Sequence, residues 1–440
     1  MTDGAGRGFA DGPRDRTDAP RQRAVDVLLL GATGITGRIA LAYLTERTRS
    51  TGQSFAVGAR NRDRVTRLCR EAGLPVPDVV EVDVSDPASL AAFAPRGRVL
   101  VNLVGPYTPH GPTVIAACVT AGTSYVDLTG ETPFIRRTDA RWHEAAIDGG
   151  VAIVQTAGFE SLPVDLAVDL ARATLQRSGH RLAAAEVSIA VHPAPGAGPS
   201  DMVSGGTMQS ILQVLADSDA PRLSDVAFRV TEAGDAATVR SSSPLRLWPR
   251  VARGTVLAPM SPAAFINPPV LHRTAWLAAA GEARPFRPLH YREGIPLGPF
   301  RGARGAAALA GAYAAALSQG AMLVAARCPR RVRGALAALL GRMLPAGGTG
   351  PQGPALDDWR WELTARGVSD ARTAVEVHLE ADGHPGYSTT ARMISELALL
   401  IADGSGTGRT GCITPALAVG ADAIPRFAAA GMRFSVGPRA

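Results

Sequence analysis

A chain of 440 residues that is 46% hydrophobic and 19% charged is long enough for two or three domains and is not globally disordered. All 46 basic residues are arginine, which excludes any mechanism that needs a lysine Schiff base or a lysine general base. The net charge of +7 suits anionic ligands, but no basic and aromatic array accompanies it, so nucleic acid is not an expected partner.

Residues 1–23 are rich in Gly, Arg and Asp, lack the apolar core of a signal peptide, and read as a disordered tail. Residues 24–160 then alternate strands and helices. The expected strands are 25–30, 55–60, 79–83, 99–104, 124–128 and 151–155. The expected helices are 36–48, 62–72, one starting at Asp86-Pro87, then 112–121 and 133–148. Short apolar strands separated by helices imply a parallel sheet covered on both faces, and six such strands complete a doubly wound Rossmann sheet. After Gly158 the rhythm changes. Residues 184–192, 359–366 and 372–381 alternate in hydrophobicity, and the last two read as an antiparallel pair. The fold class is therefore α/β, a Rossmann sheet plus a second mixed-sheet α/β domain. The expected divisions are a tail at 1–23, a cofactor domain at 24–160, a substrate domain at 161–385 and C-terminal helices at 386–440 that pack back on the Rossmann domain.

Within the substrate domain, 302–345 is apolar and basic. Residues 306–326 carry no charge, and an arginine-rich turn and a second apolar run follow. Buried or substrate-covering helices, contact with a membrane surface, and a true span are the three readings of that pattern. Four cysteines (Cys69, Cys118, Cys328, Cys412) lie far apart, with neither metal spacing nor a disulfide framework. A cytoplasmic protein without a metal site is expected, membrane-associated if 306–344 touches lipid.

The chemistry begins where the first strand ends. Gly31, Gly34 and Gly37 follow at three-residue spacing, with a helical pattern at once behind them. Gly31 permits a tight turn, Gly34 lets the main chain approach phosphates, and Gly37 lets helix and strand pack closely. Together with Thr33, Ile35 and Thr36 they form a dinucleotide pyrophosphate site at a helix N-terminus. The second strand ends at Arg60-Asn61, with Arg64 one turn on, where NAD enzymes place a carboxylate. Guanidinium suits a 2′-phosphate, so NADPH is expected over NADH. Asp83 and Val84 sit where adenine contacts lie. Val104, Gly105, Pro106 and Tyr107 follow the fourth strand in a loop expected to reach the nicotinamide, and that loop also carries His110. Later strand ends deliver Asp127, Glu131, Phe159 and Glu160 to the same rim, although Asp127 and Glu131 are equally suited to capping helices.

The segments GATGITGR, VGPYTPHG, YVDLTGE and AGFESLPVDL, in that order, resemble the saccharopine dehydrogenase-like oxidoreductases, and among them the actinobacterial trans-acting enoyl reductases. Ser204-Gly205-Gly206-Thr207, Tyr291-Arg292-Glu293, GHPGYSTTARMISE and Ile413-Thr414-Pro415-Ala416 extend the resemblance over nearly the whole chain. The sequence departs from that pattern at His110, where relatives more often carry tyrosine or another non-titrating residue. The resemblance implies NADPH-dependent hydride transfer to a C=C bond of a hydrophobic, carrier-bound polyketide or lipid intermediate, with Tyr107 or His110 giving or relaying a proton and Tyr291 near the substrate. The saccharopine-type alternative is C=N chemistry, aided by a carboxylate such as Glu160 or Asp127. A scaffold or sensor that binds NADPH without turnover is the non-enzymatic alternative. A homodimer is compatible with either.

Overall fold

The computed structural model describes residues 23–198, 201, 205–259, 263–280, 286–343 and 356–437, so the tail expected at the N-terminus lies almost wholly outside the described residues. The first half runs β1 (Val25–Leu30), α1 (Ile35–Thr51), β2 (Phe55–Ala59), α2 (Arg62–Glu71), β3 (Asp78–Glu81), α3 (Pro87–Phe93), β4 (Gly97–Asn102), α4 (Tyr107–Ala121), β5 (Ser124–Asp127), α5 (Thr132–Asp148) and β6 (Ala152–Val154). The second half opens with α6 (Leu162–Gln176), β7 (Leu182–His192), α7 (Gly205–Ala216) and α8 (Ala233–Ser242), followed by β8 (Arg250–Ala252), β9 (Thr255–Ala258), α9 (Asn267–Ala279) and β10 (His290–Pro299). Two consecutive helices, α10 (Gly302–Arg327) and α11 (Arg330–Met343), precede β11 (Arg360–Ser369) and β12 (Ala374–Asp382). The chain closes with α12 (Thr390–Ala402), β13 (Gly411–Ile413), α13 (Pro415–Val419) and β14 (Met432–Val436).

The first sheet has the order β13-β6-β5-β4-β1-β2-β3, with every pairing parallel. Successive residues of β1 feed opposite cores, Val27 and Leu29 on one face and Leu28 and Leu30 on the other. That is why the strand reads as an unbroken apolar run. The second sheet has the order β14-β12-β11-β7-β10-β9-β8 and is antiparallel except for β7 beside β10. In β11 the alternate residues Trp361, Leu363 and Ala365 are buried, and they join a core cluster that also holds Leu162, Leu166 and Ala167 of α6.

Three expectations need correction. The Rossmann sheet has seven strands rather than six, because β13 arrives from the C-terminus and pairs with β6. The Arg273 guanidinium holds it there by donating to the Cys412 main-chain oxygen at 2.9 Å. Secondly, the C-terminal segment is shared between the sheets. Arg47 Nε (2.5 Å) and the Tyr43 hydroxyl (2.7 Å) bind Glu396, locking α12 to α1, whereas β14 pairs with β12 in the second sheet. One core cluster takes residues from both sheets. Thirdly, α4 starts at Tyr107, not at Pro112, which takes Tyr107 and His110 out of the expected loop and onto a helix.

Candidate active site

A cleft of about 920 Å³ opens beyond the C-terminal ends of the first-sheet strands, where ligands bind in open α/β sheets. One end is built by the glycine loop. Gly31 has φ +88°, a left-handed conformation suited to glycine. A Cβ on Gly37 would collide with the Gly31 main-chain oxygen and stand 2.8 Å from its carbonyl carbon, so α1 packs directly on the loop only because that residue has no side chain. Gly34 caps α1 without any side-chain hydrogen bond, and the first turn has no acid. Its N–H groups are therefore left to an anion. Arg60, Asn61 and Arg64 line the same end. Asn61 also caps α2, accepting from Arg64 N at 2.9 Å. These residues fit a phosphorylated dinucleotide.

Asp83, Val84 and Ser85 continue the wall. The hydroxyl and N–H of Ser85 bond to Asp83 at 2.6 and 2.9 Å and hold its carboxyl below the usual range, and the Arg60 charge adds to that. His110 lines the same cleft. Val104, Gly105, Pro106 and Tyr107 form the next stretch of wall. All fifteen residues assigned to the cofactor from the sequence line this one cleft.

The start of α4 is set from a distance. Glu131 is fully buried and accepts from Tyr107 N at 2.9 Å, Thr108 N at 2.8 Å, Thr108 Oγ1 at 2.5 Å and Ser210 Oγ at 2.9 Å. Its carboxylate does what an N-cap side chain does, from another element. Tyr107 is buried, and its hydroxyl donates to the Asn102 main-chain oxygen at 3.3 Å, with burial pushing its pKa far up.

The remaining candidates divide. Glu160 lines the cleft, and burial raises its carboxyl above the usual range. Its Oε2 folds so close over Gly158 that a Cβ there would stand 2.6 Å away. Asp127, Glu131, Phe159 and Tyr291, expected to touch substrate, are not among the lining residues. Asp127 lies beneath the cleft, fully buried, accepting from the Tyr125 hydroxyl at 2.8 Å and Thr129 N at 3.0 Å. Burial pushes it up to about 7. Phe159 packs edge-on against Trp361, ring centroids 5.0 Å apart. Tyr291 donates to Glu293 at 2.7 Å on β10 and borders a separate, smaller pocket. A strand-end position was therefore not enough to bring these groups to the surface of the cleft.

The far end of the cleft was not foreseen. Ile211, Val214 and Leu215 of α7, Phe265, and Met322 and Ala326 of α10 wall it. Tyr387 and Thr390 line the cleft from the C-terminal region, the Thr390 hydroxyl accepting from Phe159 N at 3.0 Å. The segment GHPGYSTTARMISE carried the signal for the last two, but only tertiary folding shows that it faces the cleft. Among the described residues, no group of three His, Cys, Asp or Glu side chains is arranged to hold a metal ion.

Residues 27–154 match the family described as the saccharopine dehydrogenase NADP binding domain. A trans-acting enoyl reductase of Mycobacterium ulcerans is 30% identical, the alignment covering 93% of this chain and 97% of the relative. One from Mycobacterium tuberculosis is 29% identical over 94% of this chain and 98% of its own. Among solved structures, saccharopine dehydrogenase (L-Glu forming) from Saccharomyces cerevisiae aligns over 94% of this chain and 100% of its own at 15% identity, with a TM-score of 0.47.

Proposed function

The chain belongs to the saccharopine dehydrogenase-like oxidoreductases, together with the trans-acting enoyl reductases, and from that premise we propose that it reduces the C=C bond of an enoyl thioester on a hydrophobic, carrier-bound chain. It is an NADPH-dependent oxidoreductase. One observation carries the finer reading: a single cleft joins the glycine loop to the apolar compartment of Ile211, Val214, Leu215, Phe265 and Met322. Among the described lining residues the arginines are Arg38, Arg60 and Arg64, all beside the glycine loop or the end of β2. An amino-acid substrate of C=N chemistry would set carboxylates against an apolar wall, at a large desolvation cost. An acyl chain meets no such cost.

Bound NADPH supplies the hydride. The chain must hold the thioester, tolerate negative charge on its oxygen, and deliver a proton. Glu160 suits the last task, because burial favours its protonated form at the wall of the cleft. The Tyr107 hydroxyl is engaged with the Asn102 main-chain oxygen. The apolar walls exclude water from the reacting carbons.

Stopped-flow loss of NADPH absorbance, with a long-chain enoyl thioester in one arm and a keto acid plus amine in the other, tests the reading. Consumption by the thioester is expected. Glu160→Gln is expected to slow it by about 10²–10⁴-fold at unchanged NADPH affinity, and Tyr107→Phe or His110→Ala by less than about 10-fold. Turnover of the keto acid and amine alone would overturn the C=C assignment, and a normal rate in Glu160→Gln would remove that residue.

Arg60 is proposed to hold the 2′-phosphate. Arg60→Ala is expected to reduce the preference for NADP over NAD by about 10–100-fold, the worth of hydrogen bonds to a charged group. Calorimetric dissociation constants for both coenzymes read this directly, and an unchanged ratio would leave Arg60 as a solvated surface residue.

A further inference from the structure

The surface of α10 and α11 is unlike the rest of the molecule. Between Glu293 and Asp357 arginine is the only charged residue type in the sequence. One side of α10 rests on the second sheet, where Ala308 and Ala312 pack with Val256 and Ala258 of β9. The helix is long and apolar enough to cross a membrane, and this side of it packs on protein. The other side faces outward. Tyr313 is 50% exposed, Leu317 70% and Val324 67%, and no charge interrupts the helix between Arg304 and Arg327. At 1.5 Å per residue that uncharged stripe is about 35 Å long. A helix facing water carries polar residues on such a face. Beside the stripe, Leu297 and Phe300 at the end of β10 are also exposed, as are Val332 and Leu339 of α11. Arg330, Arg331 and Arg342 of α11 are exposed as well.

We propose that this face lies on an anionic membrane surface, with the apolar stripe sunk to the level of the acyl chains and the arginines at lipid phosphates. Charge complementarity selects the occupant. A second copy docking by two-fold symmetry would set arginines against arginines with no acid between them. An acidic carrier protein would satisfy the arginines but leaves the long uncharged stripe without a purpose, whereas an interface of head groups and acyl chains uses both. The two helices are braced for such a role. Buried Arg333 donates to the main-chain oxygens of Ala326 at 2.9 Å and Asp217 at 3.0 Å, fixing the turn between the two helices. Met322 and Ala326, on the inner side of α10, line the apolar compartment of the cleft. The membrane-facing helix is thus also a wall of the proposed substrate site, which gives a lipid-like substrate a short path from bilayer to cleft. Membrane binding itself does not depend on which bond is reduced.

Flotation of the full chain with phosphatidylcholine vesicles, with and without phosphatidylglycerol, tests the proposal. Binding is expected only to the anionic vesicles. Leu317→Glu with Val324→Glu is expected to weaken it at least 10-fold, and Arg330→Gln with Arg331→Gln and Arg342→Gln by about 100-fold. NADPH affinity, measured in parallel, is expected to stay unchanged in both variants and reports that they are folded. Failure of the wild type to float with anionic vesicles overturns the proposal, as does binding that ignores the Leu317 and Val324 changes. Capture of a purified acidic carrier protein on this face, with no vesicle binding, overturns it in favour of protein docking. None of these outcomes alters the stopped-flow result with a soluble thioester, so the two readings fail separately.

Discussion

Gly37→Ala is expected to weaken NADPH binding by about 100-fold or more, close to 3 kcal/mol. The new Cβ would meet the Gly31 oxygen, the Gly31 carbonyl carbon at 2.8 Å and the Ala32 Cα at 2.9 Å. All three are main-chain atoms, so no side chain can rotate away. Either α1 retreats from the loop or the loop is displaced, and both changes scatter the N–H groups that face the pyrophosphate. Gly34→Ala is the informative partner. Its Cβ would find only the Gly31 oxygen, at 3.6 Å, so the free protein accommodates it. Loss of binding in that variant then reports a methyl group placed where phosphate must come. Fluorescence titration with NADPH, beside circular dichroism to verify folding, reads both. Wild-type affinity in Gly37→Ala would mean that the pyrophosphate sits elsewhere.

The parts of this molecule that can be read from the chain are those fixed by neighbours in sequence. β1, the glycine loop and α1 are one continuous signal, and the structure begins and ends β1 at the expected residues. The arginines after β2 are likewise local, because a strand end dictates where they point. Features assembled across long separations escape such a reading. The start of α4 depends on Glu131, 24 residues away, whose carboxylate satisfies two main-chain N–H groups that the local sequence leaves open. With Pro109 and Pro112 in the same stretch, a helix beginning at Tyr107 looks unfavourable until that cap is known. β13 is three residues long, and its place beside β6 rests on contacts with His143 and Arg273 from other elements. The apolar end of the cleft combines α7, Phe265 and α10, three elements far apart in the chain. Asp127 and Tyr291 show the converse error. Each belongs to a suggestive motif, yet the pleat turns both side chains into hydrogen-bonded interiors.

Glu131→Ala is expected to lower the free energy of unfolding by about 3–5 kcal/mol, the range for removing one partner of a buried charged network. Four donors converge on this carboxylate, and two of them are the first N–H groups of α4. In the alanine variant the buried Tyr107 N–H loses its acceptor, the half-buried Thr108 groups lose theirs, and Ser210 of α7 loses its tie to this turn. Glu131→Gln keeps the volume but turns an amide N–H₂ towards donors that need acceptors, so a loss of about 2 kcal/mol or more is expected there too. Urea denaturation of both variants measures this. Tyr107 and the Val104-Gly105-Pro106 wall are carried by the turn that Glu131 caps, so NADPH affinity is expected to weaken together with stability. The opposite pattern is equally readable. Wild-type stability with lost turnover would make Glu131 a group that meets the substrate, the alternative role its position in the sequence suggested, and its four hydrogen bonds would then have to open during the reaction.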